Sequence, residues 1–227
     1  MSTGRPILHL FDDPNLNARI QRRLPSLFAR AQAQVERGGR VGMEAGTLRE
    51  KVLIALLILK YGRHQVETET PVTEHELDVR VGGYGVSIKT TTLTKPATRF
   101  TIKVNWTVDA QTAQAFYENY EPKYDILLAT ICWENEGGLY VIPVEVQEEV
   151  MTQLGRDKYL EKPKQGTNPR GVELSAEAVN QLLKHSETKR LSIDWRISEE
   201  HRERLREQSL NKWIELWQQE EQSESEA

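Results

Sequence analysis

Glu76-Leu77-Asp78-Val79-Arg80-Val81, then Gly82-Gly83-Tyr84-Gly85, then Val86-Ser87-Ile88-Lys89-Thr90 form two alternating runs around a glycine-rich centre, which is the pattern of a β-hairpin. Alternation sets Leu77, Val79, Val81, Val86 and Ile88 on one face. Glu76, Asp78, Arg80, Ser87 and Lys89 share the other. A loop over residues 82–85 predicts Val81 opposite Val86, Arg80 opposite Ser87 and Asp78 opposite Lys89. A strand carboxylate beside a lysine on the returning strand suits metal-dependent phosphodiester hydrolysis. The carboxylate holds Mg²⁺, and the lysine orients or deprotonates the attacking water. The same pair also occurs as a weak ion pair on any solvated ribbon, so the surrounding chain decides between the two.

Upstream, Leu48, Val52, Leu53, Ala55, Leu56, Leu57 and Leu59 predict a strongly apolar helix over residues 47–61, closed by Gly62 and buried on more than one face. Glu50 continues the stripe of Leu53, Ile54 and Leu57 and so points inward, where a carboxylate needs a partner. Thr47-Leu48-Arg49-Glu50 is also a capping box, in which Glu50 would bond back to the Thr47 amide. Residues 15–36 read as a helix broken at Pro25. Strands are expected over 76–81, 86–91, 101–106, 125–133 and 139–144, and helices over 110–117 and 148–154. A short helix is capped by Ser175, and a last helix begins after Ser198 with Leu210, Trp213, Ile214 and Trp217 on one stripe.

The 227 residues, 38% hydrophobic and 28% charged, suit a soluble chain with one core. One domain over residues 1–217 and an acidic, disordered tail over 218–227 are expected. No apolar run spans a bilayer and residues 1–6 lack a signal-peptide core, which predicts a cytoplasmic protein that does not associate with a membrane. Cys132 is the single cysteine, which excludes an internal disulfide and a thiolate zinc site. The five histidines show no metal-ligand spacing. A net charge of −4 with a pI near 5.8 argues against nucleic acid. Glu220, Glu221, Glu224 and Glu226 account for that charge within the tail, while cations gather at 19–23, at 37–40, at Lys95, Arg99 and Lys103, and from Lys158 to Arg170.

Residues 23–28 (Arg-Leu-Pro-Ser-Leu-Phe), the run Arg37 to Glu50 and the hairpin ending Ser87-Ile88-Lys89-Thr90 together resemble the ThaI-type restriction endonucleases of the PD-(D/E)XK superfamily. The resemblance implies an α/β fold with a restriction-endonuclease-like core, a mixed central sheet flanked by helices. It further implies a homodimer that cuts double-stranded DNA at a short palindromic, CG-rich site such as CGCG with Mg²⁺. Glu50, Asp78 and Lys89 are the catalytic candidates, and Glu50, Asp78 and the Ile88 carbonyl are the metal candidates. Two departures stand out: no proline precedes Asp78, and Ser87 occupies the position of a second acid. Glu50 is favoured as the missing carboxylate, with Glu76 the alternative. A structure-selective or repair nuclease, or a catalytically incomplete DNA-binding protein, are the other readings.

DNA contacts are expected from Arg40, Met43, Lys164, Asn168 and Arg170. Arg40 would reach guanine or a phosphate. Met43, in a basic glycine-rich loop, reads either as a wedge between base pairs or as a core gap filler. The loop 162–171 combines cations, amide and hydroxyl groups on a proline-stiffened segment, and reads as a DNA contact or as a solvated connector.

Overall fold

The glycines at the hairpin centre decide its register. Gly82 and Gly83 take φ of +58° and +84°, and two consecutive residues in that region make the tight two-residue turn that matches strand twist. Val81 therefore pairs with Tyr84, Arg80 with Gly85 and Val79 with Val86, in place of the four-residue loop expected from sequence. The slip is by two positions, and a slip by two preserves every face. Val79, Val81, Val86 and Ile88 accordingly share one core. Asp78 comes beside Ser87 and reaches Lys89 diagonally.

The computed structural model describes residues 4–35, 44–71, 74, 76–95, 99–107, 109–162, 171–205, 207, 208 and 211. In chain order the elements are α1 (Pro14–Val35), α2 (Glu44–Tyr61), β1 (Val66–Glu67), β2 (Val79–Val81), β3 (Tyr84–Thr92), β4 (Ile102–Lys103), α3 (Ala110–Asn119) and β5 (Asp125–Ile131). They continue with β6 (Glu136–Ile142), α4 (Val144–Leu154), α5 (Arg156–Tyr159), β7 (Leu160–Glu161), β8 (Glu173–Leu174), α6 (Ala176–Lys184) and β9 (Lys189–Asp194). The main sheet has six strands in the order β1-β2-β3-β5-β6-β9. Only β3 and β5 run parallel, in the register Ile88↔Leu127 and Lys89↔Leu128, so the sheet is mixed. A second sheet has the order β4-β8-β7.

Every residue of β5 is buried, as its unbroken apolar run demands of a central strand covered on both faces. Leu127, Ala129 and Ile131 join Phe28, Leu53, Leu57 and Trp195 in the core beneath α1 and α2. Ile126 and Leu128 join Tyr140, Val146, Tyr159 and Leu182 in the opposite core. Among the described residues no helix is long and apolar enough to cross a membrane.

Several elements differ from the sequence expectation. α1 runs unbroken through Pro25; a proline removes one helical donor, and burial of Leu24, Pro25 and Phe28 holds the helix together across the gap. α2 begins at Glu44, so Thr47 lies inside the first turn and does not cap. Only Ala45, Arg49, Leu53 and Leu57 of α2 are buried, a single stripe where more than one buried face was expected. Glu76 lies in a turn instead of a strand, and the expected strand at 101–106 is regular only at Ile102–Lys103. β9 was not foreseen, and it adds Ile193 to the core, with Trp195 just beyond it. Ser175 caps α6 as expected, accepting from the Ala178 amide at 3.0 Å. Residues 199–205 are helical, with the Ser198 hydroxyl accepting from His201 N–H at 3.3 Å. Leu210, Trp213, Ile214, Trp217 and the acidic tail lie outside the described residues.

Candidate active site

The site follows from unequal strand lengths. β3 runs from Tyr84 to Thr92, but β2 pairs only with Tyr84 to Val86, which leaves the later part of β3 open on that edge. Asp78, just before β2, turns its carboxylate into the opening. Its Oδ2 accepts from the Ile88 N–H at 2.6 Å, lies 3.5 Å from the Ser87 hydroxyl and 3.6 Å from Lys89 Nζ. The side chain thus replaces the strand acceptor that β2 no longer supplies. Within a strand the N–H and C=O of one residue point the same way, so the Ile88 carbonyl is directed to this open edge as well. Asp78 and Lys89 keep 27% and 18% of their side-chain exposure, so both remain open to a ligand from solvent.

Glu50 arrives from α2 one turn before Leu53. Its neighbour Arg49 is 5% exposed, with one guanidinium nitrogen on Gln32 of α1 at 2.7 Å and the other on Thr92 of β3 at 3.0 Å. That clamp fixes the rotation of α2 over the sheet. Burial pushes the Glu50 carboxyl above its ordinary value, Asp78 adds to the rise, and Lys89 opposes it. These causes place the two carboxylates and the lysine within one another's field. Because Thr47 is not a cap, Glu50 is free of the capping role that its sequence context suggested.

Glu50, Lys89, Thr90 and Thr91 line one wall of a cleft of about 420 Å³. Thr101 to Trp106 and Glu173 line another. Lys89 also borders a smaller cavity with Glu76, Tyr120, Lys123 and Tyr124. Glu76 is partly buried, and burial pushes its carboxyl up to about 7, against the pull of Lys89 and Lys123. Glu50 and Glu76 therefore line different cavities, with Lys89 on both.

Two carboxylates and a carbonyl are hard oxygen donors, the set Mg²⁺ takes while keeping several waters. Among the described residues no group of three or more His, Cys, Asp or Glu side chains is placed to hold a metal. A metal here would complete its shell with the Ile88 carbonyl and water. Asp78 helps to raise the Glu50 carboxyl, a repulsion that a bound cation relieves, so the donor set fits the ion.

Sequence reasoning did not single out Trp106, Asn105 or Glu173 as part of this cleft. Trp106 shares the alternation of the buried Ile102 and Val104, yet it is 54% exposed because the regular strand stops at Lys103. Arg40, Met43, Lys164, Asn168 and Arg170 lie outside the described residues.

A mixed sheet with helices on both faces, and a carboxylate–lysine group at the open end of its hairpin, place the chain among the restriction-endonuclease-like α/β proteins. A family model described as restriction endonuclease ThaI matches residues 10–219. The chain belongs to the ThaI restriction endonuclease family, which makes it a nuclease. A solved structure described as a restriction endonuclease in complex with substrate DNA superposes with a TM-score of 0.84 at 41% sequence identity, covering 94% of this chain and 99% of that one. A search of curated proteins finds no match.

Proposed function

We propose that the protein is a type II restriction endonuclease that binds double-stranded DNA as a homodimer and hydrolyses it with Mg²⁺ at a short palindromic, CG-rich site such as CGCG. The observation that carries this reading is the convergence of Asp78, Lys89 and Glu50 at the unpaired edge of β3. The DNA in the similar solved complex supports the substrate class. A two-fold dimer suits a palindrome, since each protomer reads one half-site.

Glu50, Asp78 and the Ile88 carbonyl would hold the metal. When bound, Mg²⁺ supplies positive charge against the scissile phosphate and acidifies the attacking water. Asp78 keeps its orientation through the Ile88 amide and the Lys89 ammonium. Lys89, held in the cleft wall, donates a hydrogen bond that keeps the water in line with the phosphorus. Water attacks phosphorus, releasing a proton to solvent, and the P–O3′ bond breaks. The 3′ oxygen takes a proton from solvent, leaving a 3′-hydroxyl and a 5′-phosphate. Arg40, Lys164, Asn168 and Arg170 are assigned to DNA contacts, and Met43 to a wedge between base pairs.

A second reading, DNA binding without cleavage, draws on Ser87, a hydroxyl where many superfamily members carry an acid. Plasmid DNA incubated with and without Mg²⁺ separates the two. Metal-dependent linearisation supports the nuclease reading; retardation of the plasmid with no strand breaks supports the second.

A further inference from the structure

Four large apolar side chains are exposed among the described residues: Leu27, Leu59, Tyr84 and Trp106. Scattered exposure of this kind is ordinary, but Trp106 alone of the four lies on the wall of the cleft that contains Glu50 and Lys89. The other described tryptophans are packed edge to face, Trp133 on Trp195 with ring centroids 5.8 Å apart. Trp106 has no such partner ring among the described residues, and it lines a cleft of mixed polar and apolar character. Thr101, Lys103 and Asn105 share the Trp106 wall, and Thr90 and Thr91 line the other; Asn105 and the Thr90 and Thr91 hydroxyls suit phosphate oxygens, while Thr101 donates to Glu173 and Lys103 lies 4.0 Å from the same carboxylate.

The backbone beneath the ring is tightly held. The amides of Val104 and Asn105 both donate to the Val172 carbonyl, at 3.0 and 3.2 Å. Gly171 has φ +88°, and a Cβ there would fall 1.8 Å from the Asn105 oxygen and 2.9 Å from the Trp106 Cα. Only glycine permits this approach, so the chain at Gly171 is pressed against the segment that carries the indole. A fixed backbone under an exposed aromatic ring is preorganised for contact, because little further ordering is needed on binding.

We propose that the Trp106 indole is a DNA contact of the cleft. It packs against the deoxyribose and base edge beside the phosphate on which Glu50, Asp78 and Lys89 act, and so sets how deeply that strand enters. The inference rests on the nuclease reading. Aromatic packing of this kind tolerates any base and loses roughly tenfold to hundredfold in affinity on truncation to alanine.

The test begins with the wild-type protein and a sequenced plasmid, which maps a cleavage site. A duplex oligonucleotide carrying that site is then titrated with Ca²⁺ in place of Mg²⁺ against wild type, Trp106→Phe and Trp106→Ala. Trp106→Ala is expected to raise Kd roughly tenfold to hundredfold and lower kcat/KM to match, with an unchanged melting temperature. Trp106→Phe should keep most of the affinity and lose the part of the DNA-induced fluorescence quenching that belongs to this indole. Wild-type Kd in Trp106→Ala, or wild-type quenching in Trp106→Phe, overturns the contact while the nuclease reading stands. A fall in melting temperature with unchanged Kd makes Trp106 a structural prop and overturns it too. A wild-type protein that cuts no DNA overturns the nuclease reading and this contact together.

Discussion

On the proposed function Asp78 has two tasks, and two substitutions separate them. Its Oδ2 is the acceptor for the Ile88 amide at 2.6 Å, and Ile88 is fully buried. In Asp78→Ala that N–H loses its partner inside the sheet, and an orphaned buried donor costs ~1–3 kcal/mol. Asp78→Asn keeps a carbonyl oxygen in place and removes only the charge. For a chain of this size each kcal/mol moves the melting temperature by roughly 2–4 °C. Asp78→Ala should therefore melt roughly 4–8 °C below wild type, for a loss of about 2 kcal/mol. Asp78→Asn should lose less than half of that. Under the nuclease reading both should cut DNA at least ~100-fold more slowly, because a bound metal would lose an anionic ligand. Thermal melts followed by circular dichroism, with plasmid digestion on the same samples, read both tasks. Equal melting of Asp78→Ala and wild type would show that the carboxylate does not carry the Ile88 amide. Near-normal cleavage by Asp78→Asn would remove Asp78 from the chemistry.

Glu50→Gln should leave the melting temperature within a few degrees, since Thr47 is inside α2 and no capping box is lost, yet cleavage should fall ~100-fold or more; full activity would shift attention to Glu76. Gly171→Ala forces a side chain into a backbone contact at φ +88°, so it should cost about 1–3 kcal/mol in thermal melts and slow cleavage; wild-type behaviour would contradict the close approach of 171 to 105 and 106. Burial pushes the Asp125 carboxyl above its ordinary value, against the Val144 amide and Arg5. A raised folded value means that its favourable contribution is present at low pH and lost as pH climbs through that value. Asp125→Asn retains an acceptor for Val144 and carries no such charge. Its melting temperature should gain on wild type as pH rises from about 4 to about 7; a constant difference would refute the assignment.

Much of the candidate site's geometry was legible because a register slip of two positions keeps every side chain on its face. The hairpin turn is shorter than expected, yet the slip of two positions kept Asp78, Ser87 and Lys89 on one face. The inward direction of Glu50 followed from its spacing to Leu53 and Leu57, both fully buried. The competing capping-box reading of Glu50 fails because three residues, from Glu44, precede Thr47 in the helix. β9 had a readable signal: Leu191, Ile193 and Trp195 alternate with Arg190, Ser192 and Asp194. Trp106 was not readable in the same way. Its exposure depends on where regular pairing with β8 stops and on Gly171 pressing against Asn105, contacts between residues more than sixty positions apart.

The central claim is that Asp78, Glu50 and Lys89 form the cutting centre of a site-specific nuclease. The most direct measurement is digestion of a sequenced plasmid by the wild-type protein with Mg²⁺, with every end mapped and its phosphate located. Discrete fragments, each ending at one short palindromic sequence with 5′-phosphate and 3′-hydroxyl termini, are the predicted result. Ends scattered without a common sequence, cuts confined to junctions or flaps, or DNA bound but left intact would contradict it.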